Sequence, residues 1–250
     1  SMVTLNLLKV FTSLKLSSIH KDVSFFILHM NYLTHKLLNA EELDSIKKEL
    51  GKGNQGWEDG KNTAGSHAAK VKNNLQLNRK SDISKKLCLL IKQKILNNPL
   101  VKSFTLAKHI HGIMFTKSSK GMSYGRHIDN AYMSSGRADL SFTIFLSEKN
   151  QYDGGELLIE NLSSESVFKL DRGEILIYPS TYLHSVKEIN NGERMVCVGW
   201  IESYVKSIEE REYLFDLDAG ARNLLAKHGR SDELDLIFKS YSNLLRVLGD

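Results

Sequence analysis

From about residue 104 to residue 201 the chain is a succession of short β-forming segments, each closed by turn residues: His109–Thr116, Tyr124–Asn130, Leu140–Leu146, Glu156–Ile159, Val167–Leu170, Glu174–Tyr178, Tyr182–Ile189 and Arg194–Ile201. Eight strands at this spacing, with no helical period between them, predict a sandwich, jelly roll or barrel. Helical patterns flank the run. Asn39 followed by Glu42 reads as a capping box opening a helix that ends near Gly51. A second helix, Ser81 to Asn97, places Ile83, Leu87, Leu90, Ile91 and Ile95 on one stripe and stops at Asn97-Asn98-Pro99. Residues 51–80, rich in Gly, Asn and Lys, read as long loops. Two helices close the chain, roughly 206–217 and 232–248. Ser231 caps the second, which carries Leu234, Ile237, Tyr241, Leu244 and Leu248 on one face. The expected class is mainly β with flanking helices (α+β). The expected organisation is an extension 1–29, a helical and loop region 30–103 packed on the core, a β core 104–203 and a helical region 204–250.

Composition excludes several classes. With 41% hydrophobic and 25% charged residues the chain is neither disordered nor fibrous. No apolar run reaches the roughly 18 residues of a membrane span, because Lys9, Lys15, Lys21 and Asp22 interrupt the most apolar region. Residues 1–29 also lack the features of a well-formed targeting peptide, and ordinary domain patterning begins at Met30. Two distant cysteines, Cys88 and Cys197, supply neither a disulfide framework nor a CxxC metal motif, so a reducing cytoplasm is the expected compartment. The net charge is +5, and residues 60–108 hold eleven Lys/Arg against the single acid Asp82. Lysine dominates the cations. It is better suited to a solvated surface than to the forked phosphate contacts that arginine makes, so nucleic acid is not the expected partner.

The chemistry concentrates in Tyr124-Gly-Arg-His127-Ile-Asp129-Asn and, far downstream, His184. On a strand, positions i and i+2 share a face, so His127 and Asp129 can grip one ion while His184 arrives from another strand. Two histidines and a carboxylate form the facial triad of non-haem Fe(II) oxygenases. His-x-Asp alone is a common tripeptide; Arg194 strengthens it. If Asn190-Asn191-Gly192 forms a hairpin turn, His184 lies opposite Val198, and Arg194, Val196, Val198 and Trp200 share its face. An arginine on an inward face demands an anion, such as the far carboxylate of a dicarboxylate that chelates the metal. A shifted register would instead put Arg194 on the surface. His109 and His111 form a rival same-face pair without a matching carboxylate, and read as ordinary strand residues.

Taken together, Tyr124-Gly-Arg-His127-Ile-Asp129, Arg137-Ala-Asp-Leu-Ser141, Tyr152-Asp-Gly-Gly-Glu-Leu157, Ile177-Tyr-Pro-Ser180, His184 and Gly192-Glu-Arg194 resemble the bacterial PKHD-type hydroxylases. These are iron- and 2-oxoglutarate-dependent dioxygenases of the iron-uptake-factor type, related to the prolyl hydroxylases. Trp57-Glu-Asp-Gly60, Thr63-Ala-Gly65 and Val71-Lys-Asn-Asn74 extend the likeness upstream, so it runs from about Met30 to the C-terminus. The resemblance implies a double-stranded β-helix core of the jelly-roll, cupin-like kind. It implies Fe(II) on His127, Asp129 and His184, the 2-oxoglutarate C5 carboxylate on Arg194, O2 as cosubstrate and ascorbate as an accessory reductant. Phe115 and Phe145 stand where animal prolyl hydroxylases carry cosubstrate-binding tyrosines, which leaves the second polar contact to 2-oxoglutarate open.

Other residues carry two readings each. Tyr124 either points into the pocket toward cosubstrate or packs at its strand start. Arg137 with Asp139 either fixes a loop or recognises substrate, and Asn74 either meets substrate or forms a turn. The expected substrate is a small molecule or a peptide or protein: a prolyl residue by kinship, or a siderophore-related compound by the family's iron-uptake connection. A non-catalytic cupin-like iron-binding or sensing module and a nucleic-acid demethylase are the competing classes. The C-terminal stripes make a homodimer an expectation.

Overall fold

Two antiparallel sheets face each other across a shared core. The computed structural model describes residues 32–51, 56–63, 65, 68–160 and 164–250; the expected extension 1–29 lies outside them. The strands, in chain order, are β1 (Leu33–Lys36), β2 (Trp57–Asp59), β3 (Lys72–Asn73), β4 (Leu75–Leu77), β5 (Ala107–Ser119), β6 (Ser123–His127), β7 (Tyr132–Met133), β8 (Gly136–Arg137), β9 (Leu140–Phe145), β10 (Tyr152–Gly154), β11 (Leu157–Glu160), β12 (Glu165–Phe168), β13 (Glu174–Pro179), β14 (Leu183–Val186) and β15 (Ile189–Ser203). The larger sheet runs β1-β13-β9-β15-β5-β4-β2 with β10 beside β15, and the smaller runs β12-β11-β14-β6-β3. Phe145, Tyr178 and Val196 from the larger sheet pack with Leu157 and Ile159 from the smaller in one buried cluster. This alternation of apolar inward side chains, not strand propensity, holds the two layers together.

The helices are α1 (Ala40–Leu50), α2 (Asp82–Asn97), α3 (Pro99–Thr105), α4 (Ile208–His228) and α5 (Asp232–Leu248). The capping box at Asn39 is present in both directions: its side chain accepts from the Glu42 amide, and Glu42 accepts from the Asn39 amide. Ser81 and Ser231 cap α2 and α5 as the sequence indicates.

Three expectations need correction. Residues 51–80 are not simply loop, since they contribute β2, β3 and β4 and two 3-10 turns, Gly60–Thr63 and Ala68–Val71. These strands have two or three residues, too few to show a period, and they form because β6 and β5 offer open edges to β3 and β4, with β2 added on β4. The helix from Ser81 does stop at Asn97 as expected, and a further one follows: Pro99 sits in the first turn of α3, where its missing N–H costs nothing, and Asn98 caps that helix by accepting from the Val101 amide. Helix α4 continues through Gly220 to His228 because Leu214 and Ala221 are buried and Asp218 binds Arg222, which outweighs the roughly 1 kcal/mol that an interior glycine costs. Finally, Asn190-Asn191-Gly192 is not a hairpin turn. It lies inside β15, paired with β10, and β14 belongs to the other sheet.

Part of the basic stretch 60–108 is neutralised or turned inward. On α2, Lys94 pairs with Glu42 and Lys86 with Glu49, both acids of α1, and Lys72 turns inward. Among the described residues no helix is long and apolar enough to cross a membrane.

Candidate active site

His127 ends β6, and His184 lies on the neighbouring strand β14 as its direct cross-strand partner. Their ring centroids are 4.2 Å apart. Asp129 follows two residues after His127, just past the strand end, and one donor atom from each of the three residues lies within 4.8 Å of the others. Both imidazoles are buried. Each Nδ1 faces a carbonyl acceptor, that of Gly125 at 2.8 Å for His127 and that of Tyr182 at 3.0 Å for His184. A carbonyl can only accept, so each proton sits on Nδ1 and each Nε2 lone pair is free to bind a metal. Burial, reinforced by His184, lowers the pKa of His127 to about 4, which keeps it neutral across the physiological range.

The carboxylate is held as firmly as the rings. Ser180 Oγ lies 2.7 Å from Ser141 Oγ, which donates to Asp129 Oδ2 at 2.6 Å, and Trp200 Nε1 donates to the same oxygen at 2.9 Å. Trp200 reaches it through an irregularity of register: Val198 pairs with Met114 but Trp200 pairs with His111, so β5 carries an extra residue there. Gly112 occupies the bulge at φ +63, and a Cβ on it would stand 2.4 Å from the indole ring. The indole thus occupies the space that a side chain at position 112 would take.

Arg194 projects from β15 into the same cavity. That cavity, about 470 Å³, is lined by His127, Asp129 and His184 and by Arg194, Val196, Val198 and Trp200. The inward face expected for these four residues of β15 is therefore present. They meet His184 across the gap between two sheets, not along a hairpin. Arg194 is only 4% exposed, and its Nε has no hydrogen-bond partner. Among the described residues no carboxylate pairs with it; Phe145 lies beneath its guanidinium at 5.6 Å, and the Tyr152 ring borders it. Burial pushes its pKa down, the electrostatic signature of a cation kept in a dry wall without an anion.

Tyr124 lines the cavity and stacks on His127 with ring centroids 3.6 Å apart. Phe115 and Phe145 are fully buried hydrocarbon. Tyr178 was not singled out in the sequence. Its ring meets His184 edge-on at 5.4 Å, and its hydroxyl, raised in pKa by burial, is held by Thr143 and Ser141 and feels the charges of both Asp129 and Arg194. Its signal was the alternation on β13, which turns Leu176 and Tyr178 inward together. Asn74 lines the cavity with its Oδ1 unpartnered. Arg137 does not line it: its guanidinium is taken up by Asp139, the Ser203 carbonyl, Glu202 and Asp250, which ties the loop before β9 to the end of β15. That is the loop-fixing reading, and it leaves no donor aimed at a substrate. His111 bridges Ser135 and the Arg137 carbonyl and stacks on Trp200, supporting the wall without entering the triad. Lys72, also missed, is 6% exposed and lines the opposite wall.

Two imidazoles that each turn Nε2 into the cavity and a pinned carboxylate suit Fe(II), and a buried guanidinium without a carboxylate suits a dicarboxylate. Comparison with known proteins agrees. Residues 113–202 match the 2OG-Fe(II) oxygenase superfamily. PKHD-type hydroxylases of Prochlorococcus marinus are close in sequence: that of strain MIT 9312 is 75% identical over 221 residues, covering 88% of this chain and 100% of the relative. That of strain MIT 9211 is 59% identical over the same shares. Among solved structures, a Pseudomonas putida prolyl-4-hydroxylase superposes with a TM-score of 0.52 at 16% identity, covering 73% of this chain and 97% of that one. A Trichoplax adhaerens prolyl hydroxylase, solved with a hypoxia inducible factor peptide fragment, gives a TM-score of 0.52 at 13% identity, covering 78% and 92%. These two share the double-stranded β-helix fold. With near-complete coverage at high identity, the chain belongs to the PKHD-type hydroxylases of the 2OG-Fe(II) oxygenase superfamily, and it is a hydroxylase that uses Fe(II), 2-oxoglutarate and O2.

Proposed function

We propose that His127, Asp129 and His184 hold the Fe(II), that Arg194 holds the far carboxylate of 2-oxoglutarate, and that the enzyme hydroxylates an aliphatic C–H bond of a prolyl residue or a siderophore-related small molecule. The observation that carries the residue assignment is Arg194: a buried cation without an anion, on the inner wall shared with a three-residue metal cradle. A barrel that only stored or sensed iron would have no use for it. When bound, the metal supplies oxygen activation coupled to decarboxylation of the cosubstrate to succinate and CO2.

The protein's own groups supply position and exclusion. The carbonyls of Gly125 and Tyr182 hold the two imidazoles in their binding tautomer, while Ser141 and Trp200 orient the carboxylate. The Tyr178 hydroxyl, in the lining that Asp129 and Arg194 share, provides the polar contact to 2-oxoglutarate that Phe115 and Phe145 cannot. Tyr124 covers His127 and limits water at the ring face. Val196, Val198 and Leu157 line the wall with hydrocarbon, which favours desolvation of the reacting C–H bond. The cavity size falls within the range of sites for small ligands or a single side chain, consistent with one substrate moiety beside the cosubstrate.

Succinate formation from 2-oxoglutarate with Fe(II), ascorbate and O2 tests the assignment. Turnover abolished by Asp129→Ala and restored by the native chain supports it, whereas unchanged turnover in the variant overturns it. A screen of prolyl peptides against hydroxamate and catecholate siderophore fragments then decides the substrate class by the stimulation of succinate release. Assembly as a homodimer through the C-terminal helices is part of the same proposal. The inner stripe of α5 is spent within the chain, with Tyr241, Leu245 and Leu248 packed on Leu106, Val205 and Leu214, but Leu236 and Val247 remain exposed. Light scattering of Val247→Lys and the native chain checks it; an identical monomer mass for both overturns it.

A further inference from the structure

Lys72 is a buried cation on the wall away from Arg194, and the mechanism above does not use it. It lies on β3, at the edge of the smaller sheet, where it pairs with Tyr124 of β6; Arg194 lies on β15 in the larger sheet. Its Nζ has a weak partner, Thr63 Oγ1 at 3.4 Å, and sits 5.2 Å from the Tyr124 ring centroid. Thr63 in turn donates to Gln76 Oε1 at 2.5 Å, so its hydroxyl can only accept from the lysine. Among the described residues no carboxylate lies within ion-pair distance of Lys72, and an ammonium has three donors to satisfy. Burial lowers its pKa to about 8, while Asp129 and Asp59 pull it upward, so the group still carries its charge at neutral pH.

Charge neutrality says what the lysine is for. The lining contains one carboxylate, Asp129, against Lys72, Arg79 and Arg194. On the reading that Fe(II) and 2-oxoglutarate bind as proposed above, the metal dication and Arg194 balance Asp129 and the dianionic cosubstrate. Lys72 is then the one buried charge left over. An unpaired ammonium in a dry wall costs several kcal/mol, and such groups are retained where a ligand completes them. Tyr124 stands between Lys72 and His127 as one stacked ring, which places the ammonium beside the metal cradle.

We infer that Lys72 is a specificity-determining residue that receives an oxyanion, a carboxylate or phosphate, carried by the hydroxylated substrate itself. Neutral internal prolyl peptides are then poor substrates, and molecules presenting an acidic group close to the hydroxylated carbon are good ones. Exposed Arg79 at the cavity lining adds attraction of the same sign.

The test uses the full chain loaded with Mn(II) and N-oxalylglycine, an unreactive 2-oxoglutarate analogue, so that the cosubstrate anchor is occupied. Acetate and inorganic phosphate are titrated separately, and paramagnetic relaxation of the carboxyl 13C or of 31P reports binding beside the metal. The expected result is a saturable enhancement with one of the two anions, which identifies the oxyanion. Its affinity falls about tenfold or more in Lys72→Met, the loss of one charge-assisted hydrogen bond. It persists in Lys85→Met, a surface control, and is partly restored in Lys72→Arg. N-oxalylglycine affinity is unchanged in Lys72→Met and falls about 10–100-fold in Arg194→Met. Enhancement equal in Lys72→Met and the native chain, or absent with both anions in the native chain, overturns the inference and leaves the Arg194 assignment standing. Loss of N-oxalylglycine from Lys72→Met with retention in Arg194→Met overturns the assignment it rests on, because Lys72 would then be the cosubstrate anchor. Lys72→Met removes a buried charge at nearly constant volume, so the variant keeps its fold.

Discussion

Trp200 Nε1 donates to Asp129 Oδ2 at 2.9 Å across 71 residues of sequence, tying the longest strand of the larger sheet to the carboxylate that follows β6 of the smaller. The cradle is therefore built by both layers at once. It keeps its geometry only while the sheets stay in register, and this coupling governs how the variants below should behave.

Trp200→Phe keeps the ring against His111 and deletes the donor. Groups that orient metal ligands are typically worth about 10–100-fold in metal affinity. A weakening of Fe(II) or Mn(II) affinity in that range, with the thermal midpoint nearly unchanged, is the expected outcome of a competitive chelator titration. Ser141→Ala should lose a similar factor. An affinity equal to that of the native chain would show that the carboxylate needs neither donor.

Gly112→Ala tests the bulge that lets Trp200 in. The added methyl would lie 2.4 Å from the indole and would sit at φ +63. A non-glycine residue in that region costs about 1–2 kcal/mol before any clash is counted, so a drop in thermal midpoint of about 4 °C or more is expected for a chain of this size. Metal affinity should fall with it, because the indole must move. A calorimetric scan beside the chelator titration checks both.

Arg194→Met should weaken 2-oxoglutarate binding about 10–100-fold, the worth of a charge-assisted contact, while leaving metal affinity alone. The sign for stability is opposite. Since the guanidinium is buried without a carboxylate to pair with, the unliganded variant should melt at the same temperature as the native chain or higher. Calorimetric titration with the cosubstrate and a thermal scan without it separate the two effects.

His127 makes the metal-free protein acid-sensitive. Its pKa falls from the ordinary 6.5 to about 4 on folding, chiefly through burial and then through His184. Between these values the unfolded chain binds the proton and the folded one refuses it, so stability is full above about 6.5 and is lost as the pH falls toward 4. Urea midpoints of the metal-free chain should decline over that window, and the decline should be shallower in His127→Gln. Parallel profiles for the two chains would place the acid sensitivity elsewhere.

The sequence by itself determined the strand run, the helix caps and which side chains gather in the cavity. These are local properties: β-formers at period 2 between turn residues, Asn39 with Glu42, Ser81 and Ser231 as caps, and His127 with Asp129 two residues apart. Parity along β15 also sufficed to turn Arg194 inward with Val196, Val198 and Trp200. Only the tertiary structure decided which strands are neighbours. His184 stands beside His127 because β14 pairs with β6, whereas a hairpin through Asn190-Asn191-Gly192 would have placed it in the wrong sheet. The short strands β2 to β4, the bulge at Gly112 and the inward turn of Lys72 were equally invisible, because each exists through contacts with residues far away in the chain. Pairing is chosen by the free energy of closing two layers over one core, a sum over partners that no local pattern encodes.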